Sequence, residues 1–142
     1  MKISTVRSKL SVRSRARSLR YAFSGLRDML FTEPNAWVHA AMTCLALFFS
    51  WWFRIGRIKF ALVVVAIVAV WVAEAFNTVL EILMDFVAFR QYSPIVKRAK
   101  DISAAAVLIA SIGAIAIGVT VFGRPIFEQI SELSGILSLG TK

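Results

Sequence analysis

Three carboxylates and an amide stand in an apolar run that has no ordinary use for them. Glu74, Asn77, Glu81 and Asp85 recur at spacings of three and four between Trp71 and Asp85, with Thr78 among them. At about 100° per residue, all five fall on one helix face roughly 100° wide. Ionisable groups in such surroundings are costly and by default mark function. Glu33 stands just before the first apolar stretch, and Lys100-Asp101 just before the third. Carboxylates gathered together repel one another and stay ionised only with cations present. A divalent metal supplies that charge, and Mg²⁺ prefers one or two carboxylates plus phosphate oxygens, which points to a nucleotide. The competing use is a polar seam between helices, which needs only one or two such groups.

The elements that must position these groups are apolar helices. Of 142 residues, 58% are hydrophobic and 18% charged, and mean hydropathy is +0.73. An ordinary soluble domain carries about 25% charged residues, so this composition excludes one, as it excludes a disordered tail. Three apolar stretches, residues 36–53, 60–89 and 102–122, each reach the ~18 residues that cross a bilayer core as a helix. The connections between them are short and basic, and Pro94 breaks the second. The sequence therefore predicts an all-α membrane protein with three transmembrane helices. Its layout is a basic arm over 1–20, a membrane domain over 21–122 and a tail over 123–142.

Orientation follows from the excess of Lys and Arg. The net charge of +9 is uneven: the arm through Arg27 and the second loop hold twelve Lys and Arg, the first loop and the tail five. The positive-inside rule places the N-terminus in the cytoplasm and the C-terminus outside, in the plasma or inner membrane. Entering from outside at Phe60 and rising ~1.5 Å per residue, the second span reaches Glu74 after about 21 Å and Glu81 after about 32 Å. Glu74 is then in the inner leaflet, with Glu81 and Asp85 at the cytoplasmic surface. No apolar core with a small-residue cleavage site precedes residue 20, so no removable signal peptide is expected; the Arg/Ser-rich, acid-free start also resembles a transit peptide, but the positive-inside count accounts for it.

Several features carry less chemistry. Residues 21–31 form an amphipathic segment fit for the membrane surface. The tail repeats that pattern with Ile126, Ile130, Leu133 and Leu137. Gly113 and Gly118 have the spacing of a phosphate loop but lack its lysine, and with Ala106, Ala110 and Ala114 read as a stripe for close helix packing. Trp37, Trp51, Trp52 and Trp71 suit a membrane-interface belt, and the arm suits anionic lipid headgroups, so no nucleic acid partner is expected. Cys44 is a lone cysteine without ligand-like neighbours. His39, about 9 Å past Glu33 along the first span, suits either a proton relay or a helix-packing hydrogen bond, the second being commoner.

The run Glu74-Ala-Phe-Asn77-Thr78-Val-Leu-Glu81-Ile-Leu-Met-Asp85, followed by Ala99-Lys100-Asp101, closely resembles the signature of the prokaryotic diacylglycerol kinase family. These are small integral-membrane lipid kinases that include the undecaprenol kinases. Gly25-Leu26, Glu33-Pro34-Asn35 and His39 are also similar to that family, and the resemblance extends over roughly residues 21–122. It implies a homotrimer with active sites between subunits at the cytoplasmic surface, using Mg²⁺ with ATP as co-substrate to phosphorylate a membrane lipid alcohol, diacylglycerol or undecaprenol. It further implies Glu74 as the catalytic base, Glu33 and Glu81 as metal ligands, and Asn77 and Asp85 as positioning groups. Lys100, Asp101 and Tyr21 match ATP-binding positions. Tyr92-Ser93-Pro94 departs from the family, where a histidine often precedes the Ala-Lys-Asp pattern.

Apart from the resemblance, the residue types suit phosphoryl transfer, which asks a protein mainly to position the nucleophile and neutralise phosphate charge. Mg²⁺ and Lys100 suit the second task. A glutamate withdrawn from water is the better base toward an alcohol. The rival from another class is a non-enzymatic cation-binding channel or transporter subunit, in which the same acids form a cation site.

Overall fold

The computed structural model describes residues 12–89 and 91–139, with the side chains of 15–89 and 91–135. The first half of the basic arm thus lies outside the described residues. Four helices follow in order: α1 (Val12–Thr32), α2 (Pro34–Trp52), α3 (Arg57–Val87) and α4 (Pro94–Leu139), and no strand occurs among the described residues.

Proline sets the first boundary. The ring of Pro34 disfavours helical backbone at the residue before it, and Glu33 accordingly adopts φ −103°, ψ 113°. Glu33 is the one extended residue between α1 and α2, and Pro34 opens α2 where its missing N–H costs nothing. Farther along, α2 closes at Phe53, whose N–H reaches the carbonyls of Phe49 and Trp51. Arg54 then turns the chain at φ 48°, the left-handed position that often follows a helix and that glycine usually fills. Phe89 repeats this after α3 at φ 47°.

Two helices among the described residues are long and apolar enough to cross a membrane: α3, with 31 residues, and α4, over Pro94–Gly135. In α2, 19 residues long, Asn35, His39, Thr43 and Ser50 dilute the apolar run. Large apolar side chains lie exposed along the helices, among them Val65 at 62%, Phe76 at 67% and Ile109 at 70%. Water does not tolerate such contiguous surface, whereas lipid does. The molecule is an all-α membrane protein.

One feature differs from the sequence expectation. Residues 123–142 were expected as a separate peripheral helix after the third span, but α4 continues unbroken past Gly123 and Pro125. Its 46 residues give a rod of roughly 70 Å, more than twice a ~30 Å hydrocarbon core. A proline inside a helix forfeits one backbone hydrogen bond and crowds the preceding turn. Here an ion pair between Arg124 Nε and Glu128 Oε1, 2.7 Å apart, spans the proline on the helix surface.

Packing divides the molecule into two ends. Near the α2–α3 turn, Val63, Val121 and Phe122 form an apolar knot with Phe49, Phe53 and Ile117 around it. At the other end, the groups buried between α3 and α4 are polar.

Candidate active site

The polar end is built on one stripe of α3. Glu74, Asn77 and Thr78 are buried at 1%, 5% and 6% exposure, continuing the buried seam of Val63, Ala66 and Val70. The helix places them together because residues three and four apart share a face. Glu81, one turn on, is half-buried, and Asp85 is exposed.

A chain of hydrogen bonds ties this stripe to α4. Asn77 Nδ2 donates to Glu81 Oε1 at 3.1 Å, while Ser103 Oγ donates to Asn77 Oδ1 at 2.7 Å. Ser103 is itself buried, and its hydroxyl also lies 2.9 Å from the carbonyl of Lys100. The amide of Asn77 is thereby fixed from both sides, with its N–H committed to Glu81. Sequence reasoning did not single out Ser103. The available signal was a small hydroxyl residue two positions after Asp101, at the head of the apolar stretch that begins at Ile102.

Ser103→Ala is expected to leave Asn77 Oδ1 without its donor and to destabilise the folded protein by about 1 kcal/mol, the usual worth of such a bond between membrane helices. Denaturant unfolding in micelles measures this, and an unchanged midpoint would show that the bond contributes nothing.

Lys100 sits farther out. Its Nζ donates to Asp85 Oδ1 at 2.6 Å, with the two side chains 31% and 57% exposed. A pair this open to water is screened and holds weakly, so the ammonium can leave Asp85 for a phosphate at little cost. Asp101 points elsewhere: it accepts from Lys97 at 2.5 Å, one turn back on α4, and is 60% exposed. Tyr21 lies on α1 with 67% exposure. The structure therefore brings Glu74, Asn77, Glu81, Asp85 and Lys100 into one cluster along the α3–α4 seam and leaves Asp101 and Tyr21 at its outside.

Glu74 stands apart from that chain of bonds. Both of its carboxylate oxygens are buried without a hydrogen-bond partner, as is the hydroxyl of Thr78. The nearest basic group is His39 on α2, whose Nε2 is 3.6 Å from Glu74 Oε2. Glu33 and Glu81 both lie close enough to act electrostatically on Glu74. An unpartnered buried carboxylate calls for an explanation, and an absent substrate or proton is the usual one at a functional site.

The donor set bears on whether a metal can be held here. Among the described residues no group of three or more His, Cys, Asp or Glu is arranged to hold an ion. A closed protein cage is therefore not built here. Mg²⁺ does not need one, since one or two carboxylates with phosphate oxygens and water complete its shell. Glu33, whose side chain makes no helix-cap bond, and Glu81, with one oxygen engaged by Asn77, are the residues that would hold such an ion.

Fold and site together define a helical membrane protein with a buried, unpartnered glutamate near a carboxylate, amide and lysine cluster. The chain belongs to the prokaryotic diacylglycerol kinase family, whose model matches residues 20–122. It is 30% identical over 101 residues to a diacylglycerol kinase of Synechocystis sp., a match covering 71% of this chain and 58% of that protein. An undecaprenol kinase of Bacillus subtilis is 27% identical over 106 residues, covering 75% of this chain and 85% of that one. A diacylglycerol kinase of Escherichia coli K12 is 30% identical over 95 residues, covering 67% and 77%.

Proposed function

We propose that this protein transfers the γ-phosphoryl group of ATP to the hydroxyl of a membrane lipid alcohol, at the cytoplasmic face of the plasma or inner membrane. The lipid kinase class follows from the family. The observation that carries the mechanism is Glu74, 1% exposed with both oxygens unpartnered.

A lipid hydroxyl cannot leave the membrane to meet ATP, so the base must reach into the bilayer. Glu74 lies about 10 Å deeper along α3 than Glu81. In the proposed reaction a Glu74 oxygen accepts the hydroxyl proton as the lipid oxygen forms its bond to the γ-phosphorus and the bond to ADP breaks. Lys100, released from Asp85, neutralises phosphate charge. Glu33 and Glu81 hold Mg²⁺, which when bound supplies further positive charge to the phosphates. Asn77, gripped by Ser103, fixes the carboxylate of Glu81. Asp101 and Tyr21, both exposed, are assigned to the nucleotide from the family resemblance.

The acceptor class is diacylglycerol or undecaprenol, the two that name the relatives. The proposal includes three spans, α2 being the third, and a homotrimer. The purified protein, supplied with labelled ATP and a panel of lipid alcohols, is expected to label a lipid and to consume ATP only when an acceptor is present. ATP-independent cation flux without lipid labelling would favour the channel alternative.

Topology gives a second check. In a Cys44→Ala background, single cysteines within residues 91–101 should be shielded from an impermeant thiol reagent in intact cells, and ones after Gly123 should be labelled. Labelling of the 91–101 segment from outside would separate the acids from cytosolic ATP and overturn the orientation.

A further inference from the structure

We propose that His39 is a positioning residue for Glu74: its Nε2–H orients the carboxylate and stabilises the charge from which the base acts. The proposal rests on the assignment of Glu74 as the base. Geometry supports it first. Nε2 of His39 lies 3.6 Å from Oε2 of Glu74, just beyond hydrogen-bond length, and both oxygens of Glu74 lack any partner. Hydrogen bonds at catalytic groups are often long without substrate and tighten when it binds. Among the described residues His39 is the basic group that lies within salt-bridge distance of Glu74, placed to become the donor that a buried carboxylate requires.

The ring is also held in place. It meets Trp71 edge-on, with centroids 6.5 Å apart and planes at 64°. Trp71 in turn donates from Nε1 to Thr43 Oγ1 at 3.0 Å, tying α3 back to α2 one turn beyond His39. His39 and Thr43 are four apart and share a face of α2; Trp71 and Glu74 are three apart and share a face of α3. This small brace fixes the crossing of the two helices at the level of Glu74. A histidine needed only for packing would not have to face an unpartnered carboxylate, because Trp71–Thr43 already supplies a polar contact between these helices. The side chain of His39 is only 14% exposed, so the pair is shielded from competing water.

Substitutions that differ in which ring nitrogen they imitate test this. Glutamine places its amide N–H near the position of Nε2, whereas asparagine reaches only as far as Nδ1. In the full-length protein, His39→Asn is expected to lower kcat about tenfold with KM for ATP within about twofold, and His39→Gln to recover most of that loss. Combining His39→Asn with Glu74→Gln should cost no more than Glu74→Gln alone, since a positioning group has nothing left to orient. Equal losses in the Asn and Gln variants, or a full additional tenfold loss in the double variant, would overturn the proposal in favour of a packing role. So would a His39→Asn protein with unchanged kcat. These outcomes are separable from the base assignment itself, which fails only if Glu74→Gln alone retains activity. Should His39→Asn not fold, the kcat of His39→Gln and the double variant carrying His39→Gln decide alone: a Gln variant more than tenfold slow overturns the proposal.

Discussion

Glu74→Gln is expected to lower kcat by about 10²-fold or more while leaving KM for ATP nearly unchanged. General-base catalysis contributes in the transition state, and removing the base withdraws that contribution without touching ground-state binding of the nucleotide. The structure makes this variant unusually clean. Glu74 is 1% exposed and neither oxygen accepts a hydrogen bond; the one contact touched by the change is the 3.6 Å approach of His39, from which a glutamine carbonyl can still accept. Glutamine is nearly the same size, fills the same space between α2, α3 and α4, and removes a buried charge, so assembly should be no weaker. A purely structural seam predicts the reverse pattern: turnover per folded enzyme unaltered, or folding lost. Lipid phosphorylation by the purified variant, measured at saturating ATP, distinguishes the two. A rate within threefold of wild type would remove Glu74 from catalysis and leave the polar stripe of α3 as helix glue.

How much of this was legible beforehand depends on the range of the interactions involved. The stripe from Glu74 to Asp85 was readable because it rests only on the helical repeat, and α3 presents Glu74, Asn77 and Thr78 buried on one side. The break at Glu33-Pro34 also rests on local chemistry, the proline acting on the residue before it. Pairings across helices were less accessible. Lys100 meets Asp85, one turn farther along α3 than Glu81. A shift of one turn is about 5.4 Å, and sequence alone does not fix the stagger of two antiparallel helices to that precision. Asp101 joins Lys97 because an i,i+4 pair on its own helix competes with anything across the seam. Ser103 was missed for a related reason: a serine becomes informative only once a neighbouring helix places an amide 2.7 Å away. The continuity of α4 through Pro125 could not be inferred either, since Gly123 and Pro125 both favour a stop.

Glu81→Gln is expected to raise the Mg²⁺ concentration needed for half-maximal rate by about tenfold or more, and to weaken Mg-ATP binding, with lipid binding and folding nearly intact. One oxygen of Glu81 accepts from Asn77 Nδ2 at 3.1 Å, and a glutamine carbonyl can accept the same bond, so the link from α3 through Asn77 to Ser103 survives. What the substitution removes is one negative charge at the outer edge of the cluster. That charge matters because the donor set is small. In the proposed site Glu33 and Glu81 would be the protein's ligands, and among the described residues no group of three or more His, Cys, Asp or Glu is arranged to hold an ion, so phosphate oxygens would complete the coordination shell. In a cage of four carboxylates the loss of one is partly absorbed by the rest; in a pair it removes half of the protein's contribution. Metal and nucleotide should then weaken together, each depending on the other for its ligands. Mg²⁺ titrations of lipid phosphorylation at fixed ATP, repeated at several ATP concentrations, measure both. A folded Glu81→Gln protein with wild-type Mg²⁺ dependence would take Glu81 out of the metal shell and leave it as the partner that holds Asn77 in place.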